Sequence, residues 1–74
     1  MASENPARLL LTVNGEVRRI AVGATIADLV TSLGLDPKKV AVERNMEIAP
    51  RSTLADAVLA DGDVLEIVHF VGGG

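Results

Sequence analysis

Arg8-Leu9-Leu10-Leu11-Thr12-Val13-Asn14-Gly15-Glu16-Val17-Arg18-Arg19-Ile20-Ala21-Val22 reads as two strands and the turn between them. The first six residues are β-prone, and a period of two puts Leu9, Leu11 and Val13 on one face, assigned to the core. Asn14-Gly15 is the strongest short hairpin signal, because both residues tolerate the positive φ of a type I′ turn. Gly23 ends the return strand, and the period then changes. Ile26, Leu29, Val30 and Leu33 stand at i, i+3, i+4 and i+7, the stripe of an amphipathic helix of about two turns. Thr25 is its expected N-cap, with Asp28 three residues on in a capping-box position near the positive helix end. Gly34 fits the left-handed site after the helix, with Leu35 supplying the accompanying apolar contact, and Asp36-Pro37 prevents continuation. Such a helix covers the face of Leu9, Leu11 and Val13.

Downstream, Val40-Ala41-Val42-Glu43-Arg44 reads as a third strand ended by Asn45. Met46-Glu47-Ile48 is expected to form a further short strand before Ala49-Pro50. Ser52 or Thr53 is expected to cap a brief helical turn over 54–59. Asp61-Gly62-Asp63 is a tight turn into Val64-Leu65-Glu66-Ile67-Val68-His69-Phe70-Val71. That last strand is the most apolar, and its expected place is central, beside the first. A hairpin, one helix, then further strands make an α+β chain with the helix packed on one sheet face. The expected architecture is the β-grasp, or ubiquitin-like, fold: a mixed sheet of four to five strands on one main helix. The chain divides into a flexible lead-in (1–7), the β-grasp domain (8–71) and a flexible glycine tail (72–74).

Composition narrows the function classes. At 74 residues the chain is one domain near the lower end of what folds alone. It has no cysteine, so neither disulfides nor a cysteine-based zinc site can staple it. The hydrophobic fraction of 49% is nearly all aliphatic, with Phe70 the single aromatic. The apolar runs fall well short of the ~18 residues a membrane span needs. The first residues lack the basic start and apolar core of a signal peptide, so a cytoplasmic protein without a membrane is expected. The net charge of −3 argues against nucleic acid as main partner, since phosphate binding needs a basic surface. It suits a partner with a basic docking face, and ordinary solubility charge explains it equally well.

Few residues offer chemistry. His69 stands alone near the end of the last strand, without the orienting partner that general-base work needs, and reads as a packing or edge residue. Ser3, Ser32 and Ser52 have no base at hand. Asp61 and Asp63 flank a glycine, where turn chemistry explains them more simply than Mg²⁺. Gly72-Gly73-Gly74 leads into no helix and carries no Lys-Ser/Thr, so it is no phosphate loop. No metal or cofactor is expected on the chain itself. One functional group remains, the α-carboxylate of Gly74. With a pKa of about 3.5 it is ionised and inert as an acyl donor. Conversion to an acyl-adenylate would make it reactive, and a sulfur nucleophile could then displace AMP. Gly72 and Gly73 provide clearance, because a Cβ would obstruct passage through a narrow enzyme cleft. Val68 and Phe70 alternate with the core set and point away from the helix, with Leu10 and Thr12 extending an uncovered apolar patch; such a patch marks a partner site unless a loop shields it.

The combination of Val42-Glu43-Arg44-Asn45, Ile48-Ala49-Pro50-Arg51, Asp61-Gly62-Asp63-Val64-Leu65-Glu66-Ile67-Val68 and Val71-Gly72-Gly73-Gly74 resembles the ThiS family, over about residues 9–74. The resemblance implies a sulfur carrier of thiamine biosynthesis, and not an enzyme. It implies that an E1-like adenylyltransferase (ThiF-like) adenylates Gly74 with its own ATP and Mg²⁺. Sulfur, ultimately from cysteine through a cysteine desulfurase persulfide, would then form a Gly74 thiocarboxylate, and thiazole synthase (ThiG-like) would receive it. The nearest alternative is the MoaD family of molybdopterin synthesis, which typically approaches its Gly-Gly through a proline-containing segment that Phe70-Val71-Gly72 lacks. A carrier for another thiolation pathway, or a non-catalytic β-grasp interaction module, completes the set.

Overall fold

The computed structural model describes residues 7–71. The expectations for the lead-in before residue 7 and for Gly72-Gly73-Gly74 lie outside the described residues.

Strands β1 (Arg8–Val13) and β2 (Glu16–Ala21) form the antiparallel hairpin, with Val13 opposite Glu16. Asn14 (φ 50°) and Gly15 (φ 84°) both occupy the left-handed region, as a type I′ turn demands. Helix α1 (Ile26–Ser32) follows, with Leu33 as its C-cap, so the apolar stripe runs one residue past the helix proper. Thr25 Oγ1 accepts the Asp28 N–H at 3.1 Å while the Asp28 carboxylate accepts the Thr25 N–H at 2.9 Å, a complete capping box. At the other end Gly34 takes φ 82°. Its N–H donates to Thr31 O (2.9 Å) and the Leu35 N–H donates to Val30 O (3.1 Å), closing a Schellman motif with Leu35 half-buried against the core.

A 3-10 turn at Pro37–Lys39 leads into β3 (Val40–Arg44), β4 (Glu47–Ala49) and, after a crossing segment, β5 (Val64–His69). The five strands lie in the order β2-β1-β5-β3-β4. β5 is central, parallel to β1 and antiparallel to β3. The β-grasp expectation holds: a mixed five-stranded sheet carries one helix on one face. Ile26, Leu29 and Val30 of α1 form one buried cluster with Leu11, Val13, Val40, Val42, Leu65 and Ile67 of the sheet. No helix among the described residues is long and apolar enough to cross a membrane.

Two local expectations are corrected. Met46 does not open the fourth strand. It is the second residue of an Asn45-Met46 turn, at φ 72°, and β4 begins at Glu47. The two-residue loop between paired strands requires positive φ at both positions, and a methionine is held there against its preference because the β3–β4 register leaves no alternative. Nor does Ser52 or Thr53 cap a helical turn over 54–59. The 3-10 turn lies earlier, at Arg51–Thr53, without a side-chain cap, and Thr53 Oγ1 donates to Pro50 O at 2.7 Å. Beyond it Thr53 O accepts the Asp56 and Ala57 N–H groups (3.0 and 2.9 Å), a single turn that goes no further because the next carbonyls are committed to α1. Leu54 O accepts the Ala27 N–H and Ala57 O accepts the Ile26 N–H, both at 2.9 Å. With Thr25 Oγ1 serving Asp28, the first three helix donors, which have no partner within the helix, are all satisfied.

Leu65 is 0% exposed at the centre of this core. Leu65→Ala is expected to lower unfolding free energy by about 2–5 kcal/mol in urea titrations, through lost transfer energy and the cavity left behind. Val17→Ala, on the exposed face of β2, should change it by no more than about 1 kcal/mol.

Candidate functional site

β5 delivers the chain to Gly72-Gly73-Gly74, and three side-chain devices hold it. On the β1 side, Asn14 completes a pairing that the strands alone leave unfinished. Its Nδ2 donates to Ile67 O (3.1 Å) and its Oδ1 accepts the Ile67 N–H (2.8 Å), so the amide imitates one more residue of β1. On the β3 side, the Asn45 N–H donates to Val64 O (2.7 Å) and its Oδ1 accepts the Val64 N–H (2.9 Å).

The third device is the carboxylate of Asp63 at the root of β5, the one buried charged group among the described residues. Its Oδ2 accepts from Arg44 Nε (2.9 Å) and from the Ala60 N–H (2.9 Å), with Arg44 Nη2 at 2.7 Å, and its Oδ1 accepts from Asn45 Nδ2 (3.0 Å). Burial alone would push this carboxyl up. The hydrogen bonds from Ala60, Asn45 and Arg44, with the Arg44 charge, outweigh it and hold the group below its ordinary value of 3.8. The second nitrogen of the Arg44 fork goes on to Val58 O at 2.9 Å, tying the crossing segment to the same knot. Asp61 is used separately: its Oδ1 accepts the Leu10 N–H at 2.8 Å. The two turn carboxylates thus face different protein donors and do not converge.

At the far end of β5 the Phe70 N–H donates to Lys39 O at 2.8 Å. The Arg51 guanidinium lies 5.8 Å from the centroid of the Phe70 ring, within cation–π range. Phe70 remains 47% exposed, so the contact braces the ring without burying it. His69, the last residue of β5, pairs with Val40 and is exposed, although its parity is that of the core set.

The outer face, opposite α1, carries Val64, Glu66 and Val68 of β5, with Ala41 and Glu43 of β3 beside them. Val68 is 59% exposed next to Ala41. Leu10 is exposed on the same face but stands at the other end. Thr12 is level with Val64, and Leu10 reaches only to Gly62, so Leu10 and Val68 are roughly 20 Å apart at about 3.3 Å per residue. Val68 and Phe70 precede Gly72 by four and two residues in sequence; Leu10 lies near Arg19 on β2. The Arg44–Asp63–Asn45 knot and the Arg51–Phe70 contact were not legible as site features in the sequence. Asn45 read only as a strand terminator there, and Asp63 only as a turn residue.

Residues 11–74 match the model of the ThiS family. A thiazole synthase of Paramagnetospirillum magneticum is 52% identical over 64 residues, which is 86% of this chain and 20% of that protein. A thiazole synthase of Magnetococcus marinus is 45% identical over 62 residues, 84% of this chain and 19% of that one. The chain therefore spans about a fifth of the length of these two relatives. The sulfur carrier protein ThiS of Bacillus subtilis is 47% identical over 66 residues, 88% of this chain and 100% of that protein. Among solved structures, the thiamine biosynthesis protein ThiS of Geobacter metallireducens superposes with a TM-score of 0.73 at 32% identity, covering 89% of this chain and 100% of that one.

Asp63→Asn should lower stability at pH 7 by about 3 kcal/mol, because it strips the charge that Arg44 and the two further donors are arranged around. The depressed pKa fixes the sign of the pH dependence. The contribution of Asp63 is complete above its ordinary value of 3.8, and fades as pH falls through the lower folded value. Thermal melts of the two proteins should therefore converge toward the acid end and differ most near neutrality.

Proposed function

Because the chain belongs to the ThiS family, we propose that it is a sulfur carrier for the thiazole of thiamine, with the Gly74 carboxylate as the reacting group. The observation that carries this reading is the clamping of β5. Its backbone is held by Asn14 and Asn45 along its length and by Lys39 at Phe70, two residues before the glycines in sequence. That is what a presenting scaffold requires. The match of the family model through residue 74, and of the Bacillus carrier along its whole length, supports the same reading.

In this mechanism a Gly74 carboxylate oxygen attacks the α-phosphorus of ATP on an E1-like adenylyltransferase, which binds the nucleotide and Mg²⁺, and pyrophosphate leaves. The acyl-adenylate carbonyl is then attacked by the outer sulfur of a desulfurase persulfide and AMP departs, giving an acyl disulfide. A thiol of the transfer machinery cleaves this to the thiocarboxylate, the thiol ending in a disulfide with the donor sulfur. The resulting thiocarboxylate donates its sulfur to thiazole synthase. The two relatives named thiazole synthase support that acceptor, since a domain like this one is part of the same polypeptide in them. Gly72 and Gly73 give the clearance for the enzyme cleft. Partner recognition falls to the outer face, with Val68 and Phe70 beside the tail and Leu10 at the remote end. The chain supplies no catalyst, and the reaction takes place in the cytoplasm, where ATP and the desulfurase are found.

Incubation with the adenylyltransferase, ATP and a persulfide donor should add the mass difference of one oxygen exchanged for one sulfur, read by intact-mass spectrometry. Deletion of Gly73-Gly74 should abolish that gain while leaving the circular dichroism spectrum unchanged; a truncated protein that still gains the mass would refute the assignment. Phe70→Asp should weaken binding to the adenylyltransferase by about tenfold or more, the loss expected when an exposed aromatic anchor is removed. Its melting temperature should stay near that of the parent, because Phe70 is half-exposed.

A further inference from the structure

A groove of about 180 Å³ opens on the outer face between β3, β4 and β5, lined by Ala41, Val42, Glu43, Ile48, Glu66 and Val68. Its lining combines the apolar Ala41, Val42, Ile48 and Val68 with two carboxylates, Glu43 and Glu66. Glu43 and Glu66 are direct register partners in the antiparallel β3–β5 pair, and Ile48 is the partner of Glu43 on β4. Ala41 and Val68 pair on the side toward the tail. Like charges directly opposite one another in a sheet repel and destabilise it. Among the described residues neither carboxylate has a cationic partner: the ion pairs are Arg18–Glu16 and Arg44–Asp63. Arg44, next in sequence to Glu43, is turned away and held in the Asp63 knot. Among the described residues nothing relieves this unfavourable local arrangement, and such arrangements belong to binding surfaces.

We propose that this groove receives an arginine side chain of the enzyme that activates Gly74, its guanidinium forked between Glu43 and Glu66 and its alkyl stem lying against Ile48, Val68 and Ala41. The proposal rests on the sulfur-carrier reading and names the chemistry of the first partner's contact. Arginine fits better than lysine because its planar fork offers donors to two carboxylates at once. Its methylenes match the apolar walls. The net charge of −3 favours a basic docking surface over an acidic one. Position selects the tail-handling enzyme. β5 continues from Glu66 to His69, roughly 10 Å at about 3.3 Å per residue, and the glycines follow three residues later in sequence, so one partner can hold groove and tail together. Once the groove is filled, entry of the tail becomes an intramolecular step at high effective concentration.

The test is the Glu43→Gln/Glu66→Gln double variant, assayed by adenylyltransferase-dependent ATP–pyrophosphate exchange and by thermal melting. The KM for the carrier should rise about tenfold with kcat retained, and the difference should shrink as salt is raised. The melting temperature should be unchanged or higher, because the repulsion is gone. A purely structural role for the glutamates predicts the opposite, a lower melting temperature. An unchanged KM overturns the docking proposal while leaving the carrier reading intact. Loss of affinity for thiazole synthase alone overturns the choice of occupant. Failure of the parent protein to support any exchange overturns the carrier reading and the docking proposal with it.

Discussion

The buried carboxylate of Asp63 is the constraint on which the root of the domain depends. It sits where β5 begins, and it binds the end of β3 through Arg44, the turn between β3 and β4 through Asn45, and the approach to β5 through Ala60. Arg44 passes the connection on to Val58, which bridges to Thr25 at the start of α1. One ionised group thus joins sheet, crossing segment and helix entrance. A group buried this far must be matched by charged or polar donors, since an unpartnered one would cost more than the fold gains elsewhere. Here all its contacts are short and the carboxylate stays ionised.

From that root β5 is gripped from both sides by asparagines that also make turns. Asn14 and Asn45 each occupy a position of positive φ, which asparagine tolerates better than most residues. Each then spends its side-chain amide on β5 backbone, at Ile67 and Val64. The turn residues are therefore structural in two ways at once: they reverse their own strands and lengthen the pairing of a neighbour. The outcome is a strand whose direction is set along its whole length up to Phe70.

The division of labour follows from the two faces of the same strand. Leu65 and Ile67 point inward and hold the helix; Glu66 and Val68 point outward and remain exposed. The inner set determines whether the protein folds, and the outer set is left facing solvent. This separation suits a domain proposed to be recognised by more than one enzyme. Its contact surface can hold charges that would be intolerable in the core, such as the Glu43–Glu66 pair, without endangering the fold.

Much of the architecture was written in the chain. The Asn14-Gly15 turn, the Ile26–Leu33 stripe between Thr25 and Gly34, and the apolar last strand were all readable, because each depends on residues near in sequence and on backbone preferences that act locally. The Val42–Asn45, Ile48–Arg51 and Asp61–Val68 motifs likewise pointed to the ThiS family, which the match over residues 11–74 bears out. What needed the tertiary structure was everything carried by long-range contact. Met46 became a turn residue because paired strands left it no choice. The segment over 54–59 went no further than one turn because the helix entrance required its carbonyls. Leu10 and Val68 share a face yet stand far apart, owing to the stagger of β1 against β5, which no local pattern encodes. Asp63 looks like half of an Asp-Gly-Asp turn in sequence; only folding brings Arg44 and Asn45 around it, since burial and charge pairing are properties of position in space.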